Sequence, residues 1–261
     1  MTRTVRRIAP PAVLALVLLV FWEAMVRLNG TPEYILPGPL SIGRTLWSDW
    51  PVLWPSLLVT LQITFLALLV AVLGGGGLAV LFALSPTVER ALFPFAVVLQ
   101  VTPVVAVAPL ILIYVENTLV AVVLVAWIVA FFPVLSNSVL GLNSVDHNLR
   151  DLFALYGAGR WRTLRLLRIP AAMPFFMAGL RIAGGLALIG AVVAEYVAGT
   201  AGSGTGLAWR ILEAGYRLQI PRMFAALLLL ALTGIFVFLL FSAISHLVLR
   251  RWHESALPPE R

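Results

Sequence analysis

The stretch from Asp151 to Pro170, DLFALYGAGRWRTLRLLRIP, contains the residues whose types and spacing say most about function. It is basic and helix-compatible, and it lies between two strongly apolar segments. Gly157 interrupts the first short helix-compatible run, where a tight turn is affordable. Arginines then alternate irregularly with leucines, which suits a helix at a membrane surface. Pro170 is expected to close that helix, because proline cannot continue the backbone hydrogen-bond ladder. The stretch predicts a docking surface.

Residues for catalytic chemistry are scarce in this chain. All 18 basic residues are arginine, so the lysine of a phosphate-cradling ATPase loop is missing. No His-Glu-x-x-His or Gly-x-Ser-x-Gly motif occurs, and the three His are scattered. The chain has no Cys, which excludes disulfides and thiolate metal sites. We therefore expect no enzyme activity, no metal site and no cofactor bound by this chain, so that energy comes from a partner or a gradient.

The composition indicates an integral membrane protein. Hydrophobic residues make up 61% of the chain and charged residues 11%, whereas soluble domains have apolar content near half and charge near a quarter. The formal charge of +7 does not require nucleic acid as a partner, because the cytoplasmic flanks of membrane helices collect arginine. Membrane lipid is the expected surrounding.

Charge-free apolar runs predict six membrane-spanning helices, since about 20 residues are needed to cross the hydrocarbon core. The first is interpreted as a retained helix rather than a cleaved signal peptide. No repeat or linker marks a second domain, so residues 1–261 are predicted to form one all-α membrane domain with a core at 56–249 and a loop at 143–171. The predicted spans are 9–28, 56–85, 91–114, 118–142, 172–198 and 223–249.

Arginine placement predicts the orientation of the spans. Threading the chain through six spans puts twelve arginines on the side of the termini and the 143–171 loop, and five on the other side. The positive-inside rule then places both termini and this loop in the cytoplasm. The outer segments at 29–55 and 199–221 are predicted to contain short interfacial helices, the second after a glycine-rich turn. Each is interpreted either as a membrane anchor or as a surface for an external solute-binding protein.

A few polar side chains fall within the predicted spans. Pro103 should bend the third span, and Gln100 and Thr102 either line a translocation path or hydrogen-bond between helices to hold the bundle. Glu195 in the fifth span is expected to act at a gate or interface, paired with an arginine from 199–222, or to lie in water at the membrane surface. Arg181 is expected to snorkel to the cytoplasmic surface.

Two smaller features complete this set. The run of four glycines at 74–77 predicts close helix packing or a hinge. Glu23 and Arg27, four residues apart, are predicted to pair.

The spacing within Asp151–Pro170 resembles the EAA loop of bacterial ABC importer permeases. Asp151 stands in the glutamate position, Gly157 is the glycine, and apolar residues with a proline follow at the family's spacing. Leu152 and Phe153 replace small alanines, which leaves the packing of the first turn open. An ordinary basic cytoplasmic loop is the alternative. The residues that the resemblance assigns to the ATPase-coupling surface are Asp151, Ala154, Gly157, Ala158, Arg160, Leu167, Ile169 and Pro170.

Further segments extend this resemblance over nearly the whole chain. FWEAMVRL, PEYILPGPLSI, QVTPVVAVAPLILIY and MAGLRIA look like the subfamily that imports nitrate, taurine, alkanesulfonates and thiamine-type pyrimidine precursors. The Gln-x-Thr-Pro element of Gln100, Thr102 and Pro103 is most similar to permeases for pyrimidine-like heterocycles. The identity of the solute stays open.

The resemblance implies a type I permease fold with six membrane helices and a coupling loop in the bacterial inner membrane. It implies that two permease chains form the path, that two ABC ATPase subunits hold ATP and Mg, and that a solute-binding protein delivers the solute. Alternating access is the implied mechanism. Whether the second permease is another copy of this chain or a related one stays open. A gradient-driven transporter and a non-transporting scaffold are the alternative functions.

Overall fold

The structure is a computed structural model that describes residues 2–199 and 204–250, with side chains from residue 9. The described residues form α-helices joined by short turns, and no strand occurs among them. The helices are α1 Thr2–Leu28, α2 Pro39–Ser48, α3 Trp50–Leu84, α4 Pro86–Val101, α5 Val104–Tyr114, α6 Thr118–Asn143, α7 His147–Leu155, α8 Arg160–Thr163, α9 Ile169–Ala198, α10 Leu207–Tyr216 and α11 Ile220–Leu249, with a π-helical segment Leu164–Arg168 between α8 and α9.

The predicted spans correspond to five long apolar helices and one bent pair. The helices α1, α3, α6, α9 and α11 are each long and apolar enough to cross a membrane. The predicted third span, 91–114, is not one helix, because α4 and α5 meet at a bend of 100°. Thr102 and Pro103 lie at this break in extended conformation, so the helix stops there instead of merely bending. The all-α membrane architecture is confirmed.

The centre of the bundle is the pair α6 and α9, which pack along most of their lengths. Glycines make this approach possible. A Cβ at Gly190 would lie 2.7 Å from the Ala126 Cα, and one at Gly179 would lie 2.8 Å from the Pro133 carbonyl oxygen. Small residues at such crossings let two helix backbones come together in a membrane. The pair is therefore built as one tightly packed unit, against which α3 and α11 add further layers.

The glycine run of α3 supports packing rather than a hinge. The helix passes through Gly74–Gly77 without interruption. A Cβ at Gly75 would lie 3.1 Å from the Leu135 backbone nitrogen, whereas Gly76 and Gly77 have open space where a Cβ would stand. One glycine of the run thus seats α3 against α6.

The first helix lies at the edge of the bundle. Apolar side chains from Val13 to Phe21 are exposed, as expected for a helix that faces lipid. Its end is fixed by Glu23, whose Oε1 accepts a hydrogen bond from Arg27 Nε at 2.6 Å, so the predicted pair is confirmed. Glu23 Oε2 also accepts from the Leu40 backbone at 3.1 Å, which ties α1 to the start of α2.

The segments 29–55 and 199–221 contain the two predicted short helices, α2 and α10. Trp47 is on α2, whereas Trp50 and Trp54 belong to the first turns of α3, where their rings stack at 5.3 Å. The glycine-rich turn expected before α10 lies partly outside the described residues.

Candidate functional site

The 143–171 loop is built around α7 and a left-handed turn. Asp146 caps α7 by accepting a hydrogen bond from the Asn148 backbone at 2.7 Å. At the other end, Gly157 has φ +66°, and the amides of Gly157 and Ala158 donate to the carbonyls of Ala154 and Phe153, each at 2.9 Å. This is the Schellman arrangement, which needs a residue that tolerates positive φ. A Cβ at Gly157 would meet open space, so the requirement is conformational.

The loop presents large apolar side chains to its surroundings. Leu155 is 85% exposed, Tyr156 83% and Trp161 69%, and Leu152 and Leu166 are exposed as well. Several exposed large apolar side chains in one short segment are typical of a protein or membrane contact. Five of the eight residues assigned to the coupling surface are exposed: Asp151, Ala154, Gly157, Arg160 and Ile169. The other three, Ala158, Leu167 and Pro170, are half-buried.

Pro170 does not close the second short helix, contrary to the prediction. The chain runs from α8 through the π-helical segment into α9 without a break, and Pro170 occupies the first turn of α9. The Ile169 amide donates to the Leu164 carbonyl, five residues back. Such a widened turn accommodates a residue that lacks a backbone donor. The loop is therefore continuous with a membrane helix that extends from Arg160 to Ala198, about 58 Å at 1.5 Å per residue.

One arginine fastens the loop to a neighbouring span. Arg168 Nη1 donates to the Ala83 carbonyl oxygen at 2.6 Å, at the last turn of α3. A cation at a helix C-terminus is favourable, because the carbonyls there are unpaired and the helix dipole is negative. Arg150 Nη2 donates to the Asn143 carbonyl oxygen at 3.1 Å, which holds α7 to the end of α6.

The break between α4 and α5 contains the polar side chains expected in the third span. Gln100 is exposed on the last turn of α4. The Thr102 hydroxyl donates to the Val98 carbonyl oxygen at 2.7 Å and so satisfies an end of its own helix. Pro103 caps the start of α5. Neither polar side chain forms a hydrogen bond to another helix within the described part of the chain. Their role in a path stays a prediction.

Glu195 lies in an unforeseen environment. Its side chain is buried, with 4% of the residue exposed, so it does not lie in water at the surface. Its Oε2 accepts a hydrogen bond from the Ala208 backbone at 2.9 Å, and Thr60 of α3 accepts from the Leu207 backbone at 2.9 Å. Two spans thus supply acceptors to the first amides of α10. A helix N-terminus favours a carboxylate, because its amides are unpaired and the dipole is positive there.

The prediction that an arginine from 199–222 pairs with Glu195 is wrong. Arg210 donates to the Ser56 hydroxyl at 2.9 Å and pairs with Glu213 at 2.8 Å, and Arg217 and Arg222 pair with Glu213 and Asp49. A backbone amide near Glu195 could not be foreseen from side-chain types. Gly206 was also missed, although a Cβ there would overlap the Glu195 carboxylate. The glycine just before an amphipathic segment was the available signal.

A small cavity lies beside this carboxylate. Its walls come from α3, α6, α9 and α10, and its polar lining includes Gln62, Thr118 and Glu195. Glu195 Oε1 is buried and has no hydrogen-bond partner among the described residues. Arg181 is also in α9, with its guanidinium 5.9 Å from the centre of the Phe238 ring and a buried Nε. The side chain thus packs on α11, and its snorkelling to the membrane surface stays a prediction.

Known proteins match this chain over most of its length. The family model described as "Binding-protein-dependent transport system inner membrane component" matches residues 71–253. The riboflavin transport system permease protein of Chloroflexus aurantiacus is 36% identical over 259 residues, covering 97% of this chain and 95% of that protein. A probable ABC transporter permease protein of Haemophilus influenzae is 35% identical, covering 86% and 90%. The formylaminopyrimidine transport permease protein of Halalkalibacterium halodurans is 32% identical, covering 92% and 94%.

These findings confirm the resemblance read from the sequence. The relatives are permeases named for riboflavin, formylaminopyrimidine, aliphatic sulfonates, nitrate and taurine. All of them are named as permeases, and their names differ in the solute.

Proposed function

The chain belongs to the family of binding-protein-dependent transport system inner membrane components, the permease subunits of ABC importers, and we propose that its 143–171 loop docks on the ATPase. The observation that carries this proposal is the exposed apolar surface of the loop, above all Leu155, Tyr156 and Trp161. Aromatic residues of this kind are frequent anchors in protein interfaces. ATP and Mg would be held by the ATPase, since this chain has no lysine for a phosphate loop.

The continuous helix supports a mechanism of alternating access. Closure of two ATPases on ATP would draw two loops together. Because the loop runs without a break into α9, its motion would pass along that helix and its packed partner α6. The outer end of α9 contains Glu195, which binds the N-terminus of α10. Movement at the loop would thus reach the outer helix, where a solute-binding protein would dock.

The proposed orientation places both termini and the loop in the cytoplasm. It rests on the arginine distribution and the positive-inside rule. Two copies of the chain would line the path, with Gln100, Thr102, Pro103 and Glu195 at its wall or gate. Gln100→Ala that leaves both assembly and uptake unchanged would overturn the role of Gln100 in the path.

A pyrimidine-like heterocycle is the proposed solute class. The two relatives at 36% and 32% identity that are named for a solute are named for riboflavin and formylaminopyrimidine, both nitrogen heterocycles. The Gln-x-Thr-Pro element points the same way. Uptake of labelled formylaminopyrimidine, riboflavin, taurine and nitrate by one reconstituted complex would test the assignment, and uptake of taurine or nitrate alone would contradict it.

The experiment that tests coupling compares two neighbouring glycines. Gly157→Pro imposes φ near −65° where the turn needs +66°, so ATP-driven uptake should vanish while the permease still assembles. Gly159→Ala is the matched control, because Gly159 has φ −65° and open space for a Cβ. Native mass spectrometry should find two permease chains with two ATPases. Uptake that survives Gly157→Pro would contradict the coupling role, and a lone chain driven by a proton or sodium gradient would be a secondary transporter.

A further inference from the structure

We propose that a cleft between the 143–171 loop and the turn joining α3 to α4 binds the phosphate group of an anionic lipid. The proposal rests on the proposed orientation, which puts this cleft at the cytoplasmic surface of the membrane. Its walls include Ala83, Leu84 and Pro86 from the turn and Arg150, Arg160 and Arg168 from the loop. We call it the arginine cleft.

Most of the N–H donors in the arginine cleft have no partner among the residues that the structure describes. Each guanidinium has five N–H groups. Within the described part of the chain, Arg168 uses one group on the Ala83 carbonyl and Arg150 uses one on the Asn143 carbonyl. Arg150 Nε is buried and has no partner there. Arg160 is exposed and forms no side-chain hydrogen bond to these residues. Guanidinium groups bind phosphate through paired N–H donors, so the cleft offers the chemistry that a phosphate needs.

No carboxylate among the described residues pairs with the arginines of the arginine cleft. Its lining contains three arginines and no carboxylate. Glu89 on the first turn of α4 acts on Arg168 at a distance, but the two form no ion pair. Like charges held together repel, and the repulsion is larger near an apolar wall than in water. A bound anion would remove this repulsion and supply acceptors to the free donors.

The walls of the arginine cleft favour a lipid over a soluble anion. One wall is the end of α3, a membrane span, and Leu81 one turn earlier is 53% exposed. On the loop side Leu166 is exposed as well. Basic pockets between membrane helices on the cytoplasmic side bind anionic head groups. The site therefore combines phosphate donors with apolar surface where acyl chains would lie.

Such a lipid would contact the loop and the α3–α4 turn together. The only direct hydrogen bond from the loop to that turn among the described residues is Arg168 to Ala83. A phosphate shared by Arg150, Arg160 and Arg168 would add a second link. We infer that the lipid sets the position in which the loop meets the ATPase.

The experiment is native mass spectrometry of the permease–ATPase complex released from nanodiscs of phosphatidylglycerol or of phosphatidylcholine. The wild type should keep phosphatidylglycerol and lose phosphatidylcholine. Arg150→Gln combined with Arg160→Gln should lower phosphatidylglycerol retention about 30-fold, from about 1 kcal/mol per arginine at a membrane surface. Arg162→Gln combined with Arg165→Gln is the control, because it removes equal charge from the same loop outside the arginine cleft and should change retention less than twofold.

Three results would overturn the proposal. An equal loss of phosphatidylglycerol in the control with Arg162→Gln and Arg165→Gln would mean that the loop attracts the lipid through its total charge and not through the arginine cleft. Inorganic phosphate that binds lipid-free complex, with the same dependence on Arg150 and Arg160, would make a free anion the occupant. Lipid retained by the isolated permease and lost on addition of the ATPase would mean that the ATPase fills the arginine cleft. Absence of an ATPase would contradict the proposed function instead, since lipid retention by the isolated permease remains measurable.

Discussion

The two ends of the molecule differ in whether their charged side chains form ion pairs. Every ion pair formed by the described residues lies at the end away from the 143–171 loop: Glu23 with Arg27, Glu213 with Arg210 and Arg217, and Asp49 with Arg222. Among the described residues, none of the arginines of the 143–171 loop has a carboxylate partner. The end away from the loop, called the outer end after the proposed orientation, also buries Glu195 against α10, whereas the loop exposes Leu155, Tyr156 and Trp161.

This difference distinguishes polar residues that pair with one another within the chain from loop residues that are available to bind a partner. Changes at the outer end should lower the stability of the isolated permease, because its polar groups satisfy one another. Changes to the exposed side chains of the loop should leave that stability unaltered and weaken assembly or uptake. Each prediction below tests one side of the comparison.

Gly206→Ala should have the largest effect. The added Cβ would overlap the Glu195 carboxylate, so the cap of α10 must be displaced, at a cost of about 3 kcal/mol. Thermal unfolding of the purified permease would measure this. Gly215→Ala, on the same helix with its nearest neighbour Met223 Sδ at 3.8 Å, should change stability by less than about 0.5 kcal/mol. Equal melting of the two variants would mean that the carboxylate does not cap α10.

Glu195→Ala should have the second largest effect. We expect the free energy of unfolding to fall by about 2 kcal/mol, because the Ala208 amide would be left buried without an acceptor. Glu195→Gln retains an acceptor oxygen and should lose about half as much. Unfolding measurements on both variants, beside uptake assays, would check this. Wild-type uptake with Glu195→Gln would show that transport has no need of the charge, and a larger loss with Gln than with Ala would refute the cap.

Tyr156→Ala tests the loop side. We expect unfolding within about 0.5 kcal/mol of wild type, because the side chain is 83% exposed, and ATPase affinity about tenfold weaker, because an aromatic anchor is lost. Titration of the ATPase against permease in nanodiscs would measure the affinity. Trp47→Ala is the control at the other end, exposed by 87%, and should alter neither property. A loss of stability with unchanged affinity for Tyr156→Ala would reverse the comparison.

The pair of Asp49 and Arg222 should have the smallest effect. It joins the end of α2 to the start of α11. A double-mutant cycle with Asp49→Asn and Arg222→Gln should give a coupling of about 0.5 to 1 kcal/mol in the isolated permease. The same cycle with Asp151→Asn and Arg162→Gln in the loop should give none. Coupling in the loop and none at the outer end would contradict the account.

The features that follow from local sequence were predicted well. The apolar runs gave the spans, and the Gly157 turn follows from the need for positive φ at a helix end. The Glu23–Arg27 pair follows from helical spacing. Each of these depends on residues within a few positions of one another.

The features that depend on distant segments were not predicted. Pro170 reads as a helix end, yet the π-helical turn at Leu164–Arg168 lets the helix continue. The partner of Glu195 is a backbone amide thirteen residues away, and backbone amides carry no signature in the sequence. Pro103 predicts a bend, but a break of 100° also requires Thr102 to leave the helix.

The measurement that tests the central claim most directly is site-specific cross-linking to the ATPase. The chain has no native cysteine, so Leu155→Cys in the loop and Trp47→Cys at the opposite end each give one reactive thiol. With a thiol-reactive photo-cross-linker, position 155 should join to the ATPase, more strongly with ATP, and position 47 should not. Cross-linking from position 47, or from neither position in an assembled and active complex, would contradict the account.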